Sequence, residues 1–127
     1  MPRLMSVAFT EAAVRDRTKT VTRRKGWLFL KPGDRLTLCR KVMGRKPGEP
    51  LERIADVEVI HVQRHALSDL LAADPQEARE EMRNEGFPGM DPAEFIRRYF
   101  VEAQGMDPAA IITRVEWRYL DDERAAA

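Results

Sequence analysis

The sequence predicts an α+β domain built on a small β-barrel of mixed or antiparallel strands, with helices inserted before the last strand. Two observations carry this prediction. Segments typical of strands lie at both ends of the chain and form a long pair in its middle. The segments typical of helices are grouped between residues 67 and 103. A doubly wound parallel sheet would instead alternate strands and helices throughout the chain.

Strand-forming residues dominate the first half of the chain. They cluster in residues 4–9, 18–24, 35–43 and 51–63. One short helix is predicted over residues 11–16, with Thr10 as its cap. A turn is predicted at Lys31-Pro32-Gly33-Asp34, because proline fixes φ at its second position and glycine accepts a positive φ at its third. The apolar residues of 51–63 break strict alternation, which predicts a bulge or a strong twist.

Two aspartate-proline pairs mark the helices of the second half. Asp74-Pro75 and Asp91-Pro92 each place a capping carboxylate before a proline at the first helical position. Helices are therefore expected from residue 75 to about residue 84 and over residues 93–103, with one or two further turns over residues 67–71. The alternating residues 111–120 predict the final strand.

Length and composition indicate one soluble globular domain. A chain of 127 residues with 43% hydrophobic and 34% charged residues buries a single core. We expect this domain over residues 1–120 and a frayed tail over residues 121–127. The apolar runs are far shorter than the roughly 20 residues of a membrane helix, and the first residues lack the apolar core of a secretory signal. The sequence therefore predicts a cytoplasmic protein without a membrane partner.

Residue types that bind metals are sparse. Cys39 is the single cysteine and lies among strand-forming residues, so a buried thiol is expected. His61 and His65 are four residues apart, but they lie in or beside a predicted strand, and no third ligand is spaced near them. The sequence predicts no metal site and no cofactor.

A short basic run is the clearest chemical signal. The net charge is only +1, yet residues 15–25 hold six cations against the single carboxylate of Asp16. A local basic patch in a nearly neutral chain fits a discrete anionic ligand better than long duplex DNA. The alternative is a solvated or internally salt-bridged strand, because runs of charge are usually solvated.

Four stretches together carry a family likeness. They are RTKTVTRR after the first short helix, FLKPGDRLTL, EGFPGMDPAEF in the helical insert and ITRVEWRYL at the end. Across Met5 to Leu120, the chain resembles the ASCH domain family, which has a PUA-like β-barrel. The signature of that family is a glycine, a lysine two residues on, a glutamate three further on and an arginine two beyond that. Lys19 and Arg24 match it, whereas Arg17 takes the glycine position and Thr22 the glutamate position.

The threonine at this position has a functional implication. It is similar to a branch of small amidohydrolases that remove the acyl group from N(4)-acetylcytidine, in which the lysine, the threonine and a glutamate of the insert act together. The resemblance assigns these catalytic roles to Lys19, Thr22 and Glu85, and it implies a metal-independent hydrolase. Other members of the family are thought to bind RNA or to cleave it. A non-catalytic RNA-binding module and a ribonuclease are therefore the alternatives.

The chemistry of the three residue types is consistent with this assignment. A threonine hydroxyl needs a base near neutral pH, and Lys19 serves as one only if burial or neighbouring cations lower its pKa. Glu85 would orient the lysine or protonate the leaving amine. In a regular strand, residues three apart face opposite sides. Cooperation of Lys19 with Thr22 therefore requires a bulge or a sharp bend.

The remaining candidate binding residues are cations and aromatics. The cations expected to contact phosphates or substrate are Arg17, Arg23, Arg24 and Lys25. Trp27 and Phe87 are candidates for stacking on a base, and a position in the core is the alternative for such side chains. The predicted partner is RNA or a modified nucleoside.

Overall fold

The computed structural model describes residues 2–120, and the predicted frayed tail at residues 121–127 lies outside the described residues. Its strands are β1 (Arg3–Ser6), β2 (Val21–Arg24), β3 (Arg35–Cys39), β4 (Arg53–Ala66) and β5 (Ile111–Tyr119). They form one five-stranded sheet in the order β1-β3-β4-β5-β2. β1 pairs with β3 in parallel, and every other pair is antiparallel. The sheet forms a half-barrel, which confirms the predicted α+β class with mixed strands.

The helices lie mainly between β4 and β5 in the chain, as predicted. They are α1 (Glu11–Arg15), α2 (Pro75–Glu85) and α3 (Pro92–Ile96), and α3 continues as a π-helix over Arg97–Glu102. Two 3₁₀ turns cover Ala8–Thr10 and Leu67–Ala72. Within residues 2–120, no helix has the length and apolar character needed to cross a membrane.

Three predicted strands are shorter in the structure. The one predicted over residues 35–43 ends at Cys39, where the register against β4 shifts. In the other two, turns and nearby helices take backbone hydrogen bonds. The strand predicted over residues 4–9 ends at Ser6, and the chain then turns, with the Thr10 N–H donating to the Val7 carbonyl. The strand predicted from residue 18 begins only at Val21. Before it, the N–H of Lys19 donates to a carbonyl of α1 and the N–H of Thr20 to a carbonyl of α2. The N–H groups of residues 19 and 20 therefore bond to two helices, while the Thr20 carbonyl still accepts the Trp117 N–H of β5 at 3.0 Å.

The predicted irregularity in the long strand is confirmed. The register of β4 against β5 shifts between Val59 and His61. Ile60 falls at this shift, and 43% of it is exposed. A bulge of this kind strengthens the local twist and helps the sheet to curl.

Two apolar clusters form the core. One packs inside the curved sheet and is built from residues of β1, β3, β4 and β5, including Met5, Leu36, Val57 and Trp117. The other lies under the inserted helices and includes Leu67, Met82, Phe95 and Ile112. Members of both clusters line the cavity described next, so the cavity lies where the sheet meets the helical insert.

Candidate active site

A cavity of about 170 Å³ opens between β1, β2 and the helical insert. Its lining divides into polar side chains and an aromatic wall. The polar side chains are Ser6, Thr10, Lys19, Thr22, Arg23, Arg24, Glu85 and Gln104, and the wall consists of Phe9, Phe87, Phe95, Tyr99 and Phe100. An engineered cavity of about 150 Å³ holds a benzene ring. The space therefore suits one pyrimidine ring set against polar groups.

Lys19 and Thr22 line this same cavity although they are three residues apart. The alternation of a strand does not apply to them, because Lys19 precedes β2 and only Thr22 lies in it. The Lys19 N–H donates to the Ala13 carbonyl at 3.0 Å. The Lys19 carbonyl accepts hydrogen bonds from the Trp117 indole N–H at 3.1 Å and from the Tyr119 hydroxyl. Contacts from α1 and β5 thus fix the bend that aims Lys19 into the cavity.

The Lys19 ammonium is almost completely buried beside Glu85. It donates to the backbone carbonyl of Glu85 and lies 3.4 Å from the Glu85 Oε1 atom. The pKa of Lys19 is lowered to about 8, mainly by burial; the Glu85 carboxylate opposes this effect, and Arg24 and Arg23 contribute to it. About one tenth of the molecules then carry a neutral Lys19 amine at pH 7. The amine is able to act as a base near neutral pH.

The Thr22 hydroxyl lies next to a second, partly buried cation, Arg24. Thr22 pairs with Val115 of β5, and its Oγ accepts a hydrogen bond from the Arg24 Nε at 3.1 Å. Another nitrogen of Arg24 donates to the Ser6 carbonyl at 2.6 Å. Arg24 therefore links β2 to β1 across the open side of the half-barrel, and it holds its positive charge close to the hydroxyl.

Glu85 is the last residue of α2 and is held between two cations. Its Oε1 faces Lys19, and its Oε2 accepts a hydrogen bond from Arg23 at 2.8 Å. The other terminal nitrogen of Arg23 lies 2.5 Å from Glu81, one turn earlier on α2. Arg23 lines the cavity, but carboxylates already occupy both of its terminal nitrogens.

Arg17 lies outside the lining of the cavity. Its guanidinium donates to the Val14 carbonyl at 2.8 Å, at the end of α1, and it lies 5.0 Å from the centre of the Tyr119 ring. Its φ is +69°, a conformation that glycine adopts without steric cost. This backbone conformation gives a physical reason for the glycine that is usual at this signature position.

Of the two predicted stacking residues, the structure brings only Phe87 to the cavity. Its ring centre lies 4.6 Å from that of Tyr99. Trp27 and Lys25 lie instead along a separate surface groove with Arg3 and Phe29. Trp27 is half-buried against the sheet core, and its ring centre is 5.5 Å from that of Phe29.

Sequence reasoning missed several residues that shape the cavity. Phe9 was assigned to a strand, and no signal in the sequence indicated that it would line a cavity. Tyr99 shares helical spacing with Phe95, which indicates a common face but not an opening beside it. Glu81 lies four residues before Glu85, and that spacing in a helix was the available signal that both face the same cations.

Comparison with known proteins shows what this fold resembles. No protein family model matches the chain, and neither does any curated protein. Among solved structures, protein EF3133 from Enterococcus faecalis V583, a DUF984 protein, is 12% identical with a TM-score of 0.63, over 94% of this chain and 80% of that one. The hypothetical protein PH0355 is 16% identical with a TM-score of 0.55, over 93% and 96% of the two chains.

A third similar structure carries a family description. The ASCH domain from Lactobacillus crispatus JV V101 is 12% identical with a TM-score of 0.52, over 87% of this chain and 70% of that one. Identities this low establish the fold alone. The likeness expected from the four sequence stretches is confirmed at that level: this chain has the α+β half-barrel fold of an ASCH domain.

Proposed function

We propose that this protein is a metal-independent amidohydrolase that removes the acyl group from an acylated cytidine such as N(4)-acetylcytidine. One observation carries the proposal. Lys19, Thr22 and Glu85, the residues that the likeness to amidohydrolases singles out, line one cavity that suits a single ring. Within it, burial lowers the pKa of Lys19 to about 8, the range that a general base needs.

Acyl transfer to Thr22 is the first half of the proposed reaction. The Thr22 Oγ attacks the acyl carbonyl carbon while its proton passes to the neutral Lys19 amine. The Arg24 guanidinium, 3.1 Å from that Oγ, stabilises the negative charge that develops on the carbonyl oxygen. The bond between the carbonyl carbon and N(4) then breaks, and Lys19 returns the proton to N(4). Cytidine leaves, and the acyl group remains as an ester on Thr22.

Hydrolysis of this ester is the second half. A water molecule attacks the ester carbonyl and gives its proton to the Lys19 amine. The ester bond breaks, Lys19 protonates the departing Thr22 oxygen, and the carboxylic acid is released. Throughout the cycle, the carbonyl and the carboxylate of Glu85 hold the Lys19 amine at the cavity floor.

The cavity also supports a preference for an uncharged nucleoside. Its cations are already engaged: Lys19 with Glu85, Arg23 with two carboxylates, and Arg24 with the Ser6 carbonyl and the Thr22 hydroxyl. A phosphate would have to displace one of these partners. The aromatic wall, by contrast, offers ring faces to an uncharged base.

An assay with purified protein tests the proposal. N(4)-acetylcytidine is incubated with the protein in the presence of a chelator, and cytidine is followed by chromatography. We expect cytidine from the parent protein and none above background from Lys19→Ala or Thr22→Ala, with circular dichroism confirming that both variants are folded. A folded parent protein that releases no cytidine would refute the amidohydrolase proposal.

RNA binding is the second candidate function, and the separate surface groove that Lys25 and Trp27 line favours it. Aromatic side chains beside cations are typical of surfaces that bind single strands. Lys25, the half-buried Trp27, Arg3 and the exposed Phe29 line one groove. The rest of the basic run gives less support. Arg15 pairs with Glu11 and Glu52, and Arg23 is buried.

Fluorescence anisotropy with short single-stranded RNA tests this second function. Affinity should fall steeply with salt, because each neutralised phosphate releases a counterion. Lys25→Gln should weaken binding, whereas Arg64→Gln, on an exposed part of β4 outside the groove, should not. Affinity too weak to measure at low salt would remove RNA binding as a function.

A further inference from the structure

A chain of ion pairs continues from the cavity floor toward the surface. It runs from Lys19 to Glu85 at 3.4 Å, from Glu85 to Arg23 at 2.8 Å and from Arg23 to Glu81 at 2.5 Å. Two nitrogens of Arg114 then donate hydrogen bonds to the Glu81 carboxylate, at 2.8 Å and 2.9 Å. The side chains of Lys19, Glu85 and Arg23 are each only 3% exposed. Solvent therefore screens their mutual interactions weakly.

The arrangement of the sheet makes Arg23 depend on α2. Arg23 of β2 lies directly opposite Arg114 of β5, and like charges in this position destabilise a strand pair. Glu81 contacts both guanidinium groups and offsets their repulsion. Since Glu81 and Glu85 are one helical turn apart, the same face of α2 that neutralises the arginines also presents Glu85 to Lys19.

We propose that Arg23 is a positioning residue of the candidate active site: anchored by Glu81, it shares the Glu85 carboxylate with Lys19 and so sets the charge that surrounds the Lys19 amine. Arg23 itself does not touch the substrate in this scheme. Its role in the reaction rests on the proposed function, whereas its effect on Lys19 does not.

This arrangement assigns the proton transfers to Lys19. The two carboxyl oxygens of Glu85 face Lys19 and Arg23, so they are engaged with these cations and not directed at a leaving amine. The charged groups that face Lys19 are Glu85 from α2 and Arg23 and Arg24 from β2, and the Tyr119 hydroxyl from β5 contacts its carbonyl. Among them Glu85 favours the ammonium form, and both arginines favour the neutral amine.

Titration of Lys19 tests the proposal without any substrate. Isotope-labelled lysine side chains are followed by NMR against pH, and the Lys19 signal is assigned as the one missing from Lys19→Met. Arg23→Met removes a neighbouring cation and leaves the Glu85 carboxylate to Lys19 alone, so the Lys19 midpoint should rise. Glu85→Gln removes the anion and should lower the midpoint, whereas Arg23→Lys should keep it near that of the parent.

A matched control separates this effect from the general loss of an arginine. Arg97 pairs with Glu94 and Glu102 on the exposed side of the helical insert, and Arg97→Met should leave the Lys19 midpoint unchanged. Because removing one partner of a buried ion pair is strongly destabilising, Arg23→Gln replaces Arg23→Met if the latter does not fold. The same upward shift is expected.

The titration tests the role of Arg23 separately from the proposed hydrolysis. A raised midpoint in the neutral Arg23 variants supports the positioning role, even if acetylcytidine is never hydrolysed. If the protein is an amidohydrolase, the acid limb of its pH-rate profile should move upward by the same amount in those variants. A Lys19 midpoint that is equal in the parent and in the neutral Arg23 variants would overturn the inference.

Discussion

At Lys19, different parts of the fold fix the backbone and the side chain. Trp117 and Tyr119 of the last strand both donate to its carbonyl, while Glu85 of the helical insert holds its ammonium. The side chain therefore points into the cavity only when strand and insert are both in place. The backbone of Thr22 needs no such additional contacts, because its pairing with Val115 in the sheet already fixes it.

Removal of the Tyr119 hydroxyl tests whether its hydrogen bond positions Lys19. Tyr119→Phe removes one of the two donors to the Lys19 carbonyl, so the free energy of unfolding should fall by about 1 kcal/mol. The lysine loses part of its positioning, and kcat for acetylcytidine should fall about tenfold with little change in KM. Urea denaturation and steady-state kinetics measure the two effects. An unchanged kcat would show that this bond does not position Lys19.

Among the helices, α2 supplies the carboxylates that engage the cations of the site. Asp74 caps its first turn, Glu81 and Glu85 project from its last two turns, and Gly86 ends it with a φ of +97°. A Cβ atom at Gly86 would lie 3.0 Å from the Thr10 methyl carbon and 3.2 Å from the Ala13 Cβ. The end of α2 therefore packs against the segment whose Ala13 carbonyl accepts the Lys19 N–H.

Gly86→Ala tests this contact, and Gly89→Ala is its matched control. Both glycines have a positive φ, but a Cβ at Gly89 would meet no atom within 4 Å. Gly89→Ala should cost about 1 kcal/mol of unfolding free energy from backbone strain alone. Gly86→Ala adds a steric contact and should cost about 2–3 kcal/mol, with a loss of activity. Equal costs in thermal or urea denaturation would contradict the packing role.

The elements also show what local sequence signals predict. The aspartate-proline pairs predicted the starts of α2 and α3 correctly, because a first-turn proline acts within a few residues. The Asp74 side chain also caps α2 as predicted, whereas the Asp91 side chain makes no capping hydrogen bond. The starting point of β2 was not predictable in this way. The N–H groups of Lys19 and Thr20 donate to carbonyls of α1 and α2, and the Thr20 partner, Asn84, is distant in sequence. The bend that brings Lys19 and Thr22 together is therefore a tertiary effect.

Because Lys19 is buried, the free energy of unfolding of the whole molecule should depend on pH. Lys19 has a pKa of about 8 when folded, against 10.5 in an ordinary setting. Between these two values the unfolded chain holds a proton that the folded protein has released, so the free energy of unfolding should rise with pH across this window. The rise attributable to Lys19 is roughly 3 kcal/mol.

Urea denaturation at several pH values measures this coupling. The parent protein should gain stability relative to Lys19→Met as the pH increases from 8 to 10.5. Well below pH 8 the difference between the two proteins should be nearly constant, because Lys19 is then mostly protonated in both states. Parallel stability curves across the whole range would contradict the lowered pKa of Lys19.

The fold as a whole follows from the sequence more completely than the site does. Hydrophobic alternation and turn residues predicted the mixed sheet and the inserted helices, because those patterns reflect burial across whole segments. The cavity depends on side chains that meet from distant segments, such as Phe9, Tyr99 and Glu85. Nothing in the local pattern of Phe9 indicates its role. The roles of Lys19, Thr22 and Glu85 were suggested by family likeness, and the physical reason that they meet is tertiary.

The central claim is that the Thr22 hydroxyl in this cavity attacks the acyl group of an acylated cytidine, and one comparison tests it most directly. The measurement is kcat/KM for N(4)-acetylcytidine in the parent, Thr22→Ser and Thr22→Val, with Thr37→Val as a matched buried threonine on β3 outside the cavity. Thr22→Val should lower kcat/KM about a thousandfold or more, while Thr22→Ser retains a hydroxyl and a substantial part of the activity. Thr37→Val should behave like the parent. Hydrolysis by Thr22→Val at the parent rate would contradict the claim.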